Sequence, residues 1–296
     1  MSPLLPSFPV FRFSDVGVTM THLDLQSLRR FSRHTRSIVS TALILGVAGT
    51  AVADPVEDAA RAFQRTDYAT ALALWRPLAE QGNSRAEIGL GKLYESGLAM
   101  PKDQAQANVW FQKAANQGDA EGECIVGLGY VIGTHGQPQD VSWGVALMKK
   151  AVDHGNAGCA NQIGELYRNG LFGIPRDHVE AVAWHRRGAE MGDALAERRL
   201  GTDYELGIGV RQDSEQAAYW YGKSVAHTRK EADQGDATAQ LIMGESYEWG
   251  ESGLVRDKAA ALYWCKKSAQ QKSRVADAAR QCVSQVERES FATESR

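Results

Sequence analysis

Residues 127–133 read GLGYVIG, three glycines in seven positions. Runs of this kind cradle phosphates when a strand leads in and a helix leads out. With Gly118 as origin, however, the surrounding stretch has four further copies. They lie in QGNSRAEIGLGKLYESG, HGNAGCANQIGELYRNG, MGDALAERRLGTDYELG and QGDATAQLIMGESYEWG, with origins at Gly82, Gly155, Gly192 and Gly235. Nine residues past every origin stands a glycine: Gly91, Gly127, Gly164, Gly201 and Gly244. Twelve past stands a tyrosine: Tyr94, Tyr130, Tyr167, Tyr204 and Tyr247. Fifteen past stands glycine again: Gly97, Gly133, Gly170, Gly207 and Gly250. A phosphate loop has no reason to recur five times with changing neighbours and no basic or hydroxyl partners. Nucleotide binding is therefore not expected.

Each copy continues alike. An aspartate follows the last glycine by six or seven residues: Asp103, Asp140, Asp177, Asp213 and Asp257. Then comes a helical run with tryptophan at matching places in four copies (Trp110, Trp184, Trp220, Trp264), whereas the second has Leu147 there and Trp143 a turn earlier. The spacing predicts a helix from the origin to just before the third glycine. The glycine and tyrosine anchors then share one face. A mid-helix glycine costs about 1 kcal/mol against alanine, so close packing at that point must offset it. The third glycine suits the left-handed residue that ends a helix, and the aspartate suits the N-cap of a second helix. The tryptophan and small residues of that second helix are expected to pack on the first. One such hairpin cannot bury its own apolar face, and stacked neighbours supply the cover. The expected fold is all-α, a right-handed α/α solenoid.

The pattern resembles the Sel-one-like repeat family of tetratricopeptide-like solenoids, most closely in GTDYELGIGVRQD, residues 201–213. The resemblance covers five units, 82–117, 118–154, 155–191, 192–234 and 235–271. Residues 54–81 read as an opening capping helix pair, and 272–296 as a closing helix and tail. The fourth unit carries about six extra residues, SVAHTR or nearby, before KEADQG.

Ahead of the repeats, RRFSRHTR (29–36) precedes sixteen uncharged residues, 38–53, ending Ala51-Val52-Ala53. A basic region, a short apolar run and a small-residue site describe a secretory signal peptide, 1–53. Its removal takes five bases and two acids from the 33 and 36 of the whole chain, leaving a net charge of −6. A mildly acidic exported chain is a poor match for nucleic acid, and membrane insertion after cleavage is not expected. The expectation is a periplasmic or secreted monomer without cofactor or metal.

All four cysteines, Cys124, Cys159, Cys265 and Cys282, follow the leader, and an even count in an exported protein suggests two disulfides. In a solenoid, 124–159 and 265–282 would join neighbouring helices. The alternative is four small buried thiols. Exported cysteine-rich members of the family usually pair cysteines within each unit, which this sequence cannot do. Histidines 178 and 185 share a helix face and read as surface residues, and His135, His154 and His227 are scattered. Some exported family members bind or hydrolyse β-lactams, yet no serine after residue 53 has lysine three residues on, and G-x-S-x-G and H-E-x-x-H are absent. Trp249 and Trp143 fall off the repeated packing pattern and are candidate partner-binding anchors, since aromatic side chains dominate protein interfaces. The resemblance implies a non-catalytic scaffold for a protein or peptide partner. The competing reading is a cell-wall enzyme or a glycan or β-lactam binder.

Overall fold

The computed structural model describes residues 54–134 and 137–294; the leader, residues 1–53, and His135 lie outside the described residues. Helices α1 (Pro55–Gln64) and α2 (Tyr68–Glu80) make an opening hairpin. Five hairpins follow: α3 (Ser84–Ser96) with α4 (Gln104–Asn116), α5 (Ala120–Ile132) with α6 (Val141–Asp153), and α7 (Ala157–Asn169) with α8 (His178–Glu190). The last two are α9 (Ala194–Leu206) with α10 (Ser214–Asp233), and α11 (Ala237–Trp249) with α12 (Lys258–Ala269). Helix α13 (Ala276–Glu294) closes the array, and the described residues contain no strand.

The local chemistry of each hairpin is the one the anchors foretell. Every helix from α1 to α12 begins on Asp or Asn, whose side chain accepts a backbone N–H of the first turn. Each cap contributes on the order of 1 kcal/mol. The five first helices end on the third glycine of the motif at φ between 64° and 78°. The backbone then returns to the anchor tyrosine. The N–H groups of Asp103, Asp140, Asp177, Asp213 and Asp257 each donate at 2.9 Å to the carbonyl of the tyrosine in their own unit. That bond ties cap to tyrosine and fixes where the second helix starts.

Packing departs from expectation at the glycine nine residues past the origin. The side chain over it is not the tryptophan but the residue after it. A Cβ on Gly91 would lie 2.5 Å from Phe111, and one on Gly201 would lie 2.7 Å from Tyr221. Met148, His185 and Cys265 cover Gly127, Gly164 and Gly244 in the same way. The tryptophans sit one residue round the second helix. Trp110, Trp184 and Trp220 are half-buried and Trp264 is buried. Lys113, Lys223 and Lys267 lie 3.7, 5.1 and 5.0 Å over the rings of Trp110, Trp220 and Trp264.

The fourth unit also differs from its expected form. Counting from the capping aspartate, α10 keeps register through His227 and then runs on for seven residues, 228–234, before Gly235. Seven residues are nearly two turns, about 10 Å of helix, so KEADQG presents the same face as the in-register KSVAHT. Ala232 of the extension packs with Ala239, Met243 and Trp264 of the fifth hairpin. The array curves until its ends meet. Arg274, between α12 and α13, lies 5.2 Å over the ring of Phe63 at the end of α1. A small cavity of about 260 Å³ there is lined by residues 63–65, 235–238 and 271–275.

Candidate functional site

The first helices of the five units form one face of the array, and positions 3, 7, 10 and 14 past the origin lie on its outer side, except Gly89, which Trp75 covers. In the second unit three of these are apolar, Ile125, Leu128 and Ile132; in the third they are Gln162, Glu165 and Asn169. The apolar strip floors a groove of about 950 Å³ bounded by α3, α5 and α7. Lys92 and Glu121, paired at 2.5 Å, stand on one wall, and Asn156 and Gln162 on the other. Lys92 and Glu121 neutralise each other and Glu95 adds a carboxylate to the same rim, so the groove offers apolar contact with polar edges.

A covalent tie underlies the groove. Cys124 of α5 bridges to Cys159 of α7, with Cα atoms 5.9 Å apart, and Cys124 itself lines the groove. Cys265 of α12 bridges to Cys282 of α13 at 6.0 Å, tying the closing helix to the last unit. Both pairs join helices that the stack places side by side.

Trp143 and Trp249 are each 54% exposed. They lie at the start of α6 and the end of α11, three units apart, and do not touch. Both belong to the edge that carries the connections from first to second helix. Leu171, Phe172, Leu206 and Val255 are exposed on that same edge.

Four of the five units hold a polar pair between the first helix and the end of the second that no single sequence position reveals. Buried Glu87 accepts from Gln117 at 2.7 Å, Glu123 meets His154 at 2.8 Å, Glu197 meets His227 at 2.8 Å, and Gln240 accepts from Gln271 at 2.7 Å. In the third unit the equivalent positions are Ala160, in the apolar core, and Met191, packed against it. The two members change together, a signal legible only when the columns are read jointly. Burial holds the Glu87 carboxyl above the usual carboxylate range, with Lys113 pulling the other way.

His185 corrects the expectation of a surface residue, being 0% exposed. Its Nδ1 bonds Asp203 at 2.7 Å, and Arg168 donates to the same carboxylate at 2.6 Å. A ring with no accessible surface meets no substrate, so the cluster is a tie between the third and fourth units. Tyr221, over Gly201, donates to Glu205 at 2.7 Å, and burial pushes its hydroxyl up to about 12. Among the described residues no group of three or more His, Cys, Asp or Glu is arranged to hold a metal ion.

The comparisons with known proteins fit this geometry. No curated protein sequence matches the chain. In solved structures the fold recurs in a Sel1 repeat protein from Oxalobacter formigenes, 29% identical with a TM-score of 0.51, over 73% of this chain and 84% of that one. Two Pseudomonas aeruginosa proteins, 5086 and immunity protein Pa5087, are 18% and 19% identical with TM-scores of 0.52 and 0.50. Each similarity spans 74% of this chain and 81% of the other, and shows the fold alone. The family model of the Sel1 repeat matches residues 62–83, 84–119, 121–156, 157–193, 194–227 and 237–273. Its first, short match falls on the opening hairpin, and its fifth stops at His227, where α10 leaves register. With hairpins, glycine anchors and capping aspartates recurring in that order over most of its length, the chain belongs to the Sel1 repeat family.

Proposed function

We propose that the protein is an exported, non-catalytic scaffold that binds a protein or peptide partner on its first-helix face. The groove over Ile125, Leu128 and Ile132 carries this reading. It is the size of a ligand site, apolar in its floor and polar at its rim, as recognition surfaces are. The bridge beneath it limits how far α5 and α7 can separate, which lowers the ordering cost of binding. Trp249 and Trp143 extend the contact at the edge of the array. Two disulfides favour an oxidising compartment, periplasmic or extracellular. Among the described residues no helix is long and apolar enough to cross a membrane. The working form is a monomer needing no cofactor and no nucleic acid.

Capture from an envelope extract tests the proposal. The wild-type chain should retain one protein in stoichiometric amount, Leu128→Glu should lose it, and Arg61→Glu on the far side of α1 should not. Equal capture by all three chains would remove the groove from the mechanism. Turnover of nitrocefin or cell-wall fragments by the purified chain would replace the scaffold with an enzyme.

A further inference from the structure

The seven extra residues of α10 open a second cavity, of about 630 Å³, between the start of α9, the extension itself and α11. The regular family match does not extend over this part of the chain, since it breaks off at residue 227 and resumes at 237. One side of the cavity is apolar, formed by Leu195, Val225, Ile242 and Met243. The other carries Thr228 and Ser246, which are 7% and 6% exposed. Neither hydroxyl has a hydrogen-bond partner among the described residues, and their oxygens remain open to the cavity. Open to the cavity and without a protein partner, both oxygens are free to accept from a ligand donor.

The charge around these hydroxyls is negative. Asp193, Glu231 and Asp236 line the cavity against a single basic residue, Arg198, whose guanidinium reaches Glu251 at 4.0 Å. Burial raises the Asp193 carboxyl above its ordinary range, although the Ala196 N–H partly offsets this. A cation nearby would favour its charged form. Carboxylates and open hydroxyl oxygens all accept, and an ammonium group has three donors and no acceptor. Its methylene stem would meet the apolar wall, as lysine stems do on apolar surfaces.

We infer that this cavity takes a lysine side chain from an extended segment of the partner, with the ammonium on the Thr228, Ser246 and Glu231 side. The inference rests on the scaffold reading but uses a surface separate from the groove over Leu128. The probe is a labelled, end-blocked pentapeptide, Gly-Leu-Lys-Leu-Gly, titrated by fluorescence anisotropy against the full chain. Versions with norleucine or glutamate in place of lysine serve as comparisons. The lysine peptide should bind at least tenfold more tightly than the norleucine peptide, and the glutamate peptide should not bind. Glu231→Gln, at an exposed site, and the isosteric Thr228→Val should each weaken the lysine peptide about tenfold, the equivalent of about 1.4 kcal/mol. Leu128→Glu should leave it unchanged, which separates this site from the groove. Equal binding of the lysine and norleucine peptides, or affinity untouched by both cavity variants, would overturn the inference. So would loss of the peptide in Leu128→Glu, or full competition by 1,5-diaminopentane at matching concentration, since the occupant would then lie elsewhere or be a free diamine.

Discussion

The junction between the second and third units and the junction between the fourth and fifth solve one packing problem in opposite ways. At the first, α5 and α7 keep the regular repeat and are bolted together through Cys124 and Cys159. At the second there is no bridge, and α10 runs seven residues past its regular end before α11 begins. The bolted junction presents an apolar groove with one ion pair on its wall. The extended one presents a cavity with unpartnered hydroxyls and a surplus of carboxylates. A solenoid tolerates both because each hairpin packs chiefly on its neighbours in the chain, so a local change is not transmitted as misfit along the array.

Removing the bolt should have the largest effect on this contrast. Cys124→Ala with Cys159→Ala opens a link between residues 35 apart, worth roughly 3–4 kcal/mol in the chain-entropy account. A urea titration of the full chain should show the loss as a lower midpoint, with unfolding beginning at the second and third units. An unchanged midpoint would mean that packing alone holds α5 to α7.

Next in size is Gly127→Ala. The added Cβ would stand 2.8 Å from the Gly144 carbonyl oxygen and 3.0 Å from the Met148 backbone nitrogen. Backbone cannot step aside as a ring can, so overpacking of about 2–3 kcal/mol should exceed the roughly 1 kcal/mol gained in helix propensity. At Gly201 the three nearest atoms all belong to the Tyr221 ring, the first at 2.7 Å, so Gly201→Ala should cost less. Thermal unfolding of the two variants gives the comparison, and equal losses would contradict it.

The polar pairs come third. His154→Ala leaves buried Glu123 with Lys150 at 2.8 Å as its remaining partner, and should cost about 1–3 kcal/mol. Changing both partners, Glu123→Ala with His154→Met, copies the apolar solution of Ala160 and Met191 and should restore stability to within about 1 kcal/mol. A double-mutant cycle checks this, and additive losses would show that the pair has no apolar equivalent there. Smallest in stability is Trp249→Ala, within about 0.5 kcal/mol by denaturation because the ring is already half in water, while capture of the partner should fall.

The repeat was legible because its anchors answer demands of the backbone, which are the same in every unit. Gly97 and its counterparts must adopt positive φ, and Asp103 and its counterparts must cap the second helix while their N–H groups return to the carbonyl nine or ten residues back. Identical demands leave identical residues, and spacing alone exposes them. The count and neighbourly placement of the cysteines followed from the same register.

Side-chain complementarity left no such trace. Phe111, Met148, His185, Tyr221 and Cys265 share one role over a glycine, yet no residue type repeats, because filling a volume can be done by many shapes. Glu123 with His154 and Ala160 with Met191 are interchangeable as pairs, so neither column is constant. The site of the extension was hidden by its own length, since seven residues return the helix nearly to the same face and KEADQG imitates the ending it displaces. The sequence by itself therefore determined the hairpins, their caps and their order. Only the tertiary structure decided which residues fill the space between helices, where the extra turns fall, and how the array's ends come to meet, because those depend on distances between elements rather than on the backbone needs of any one of them.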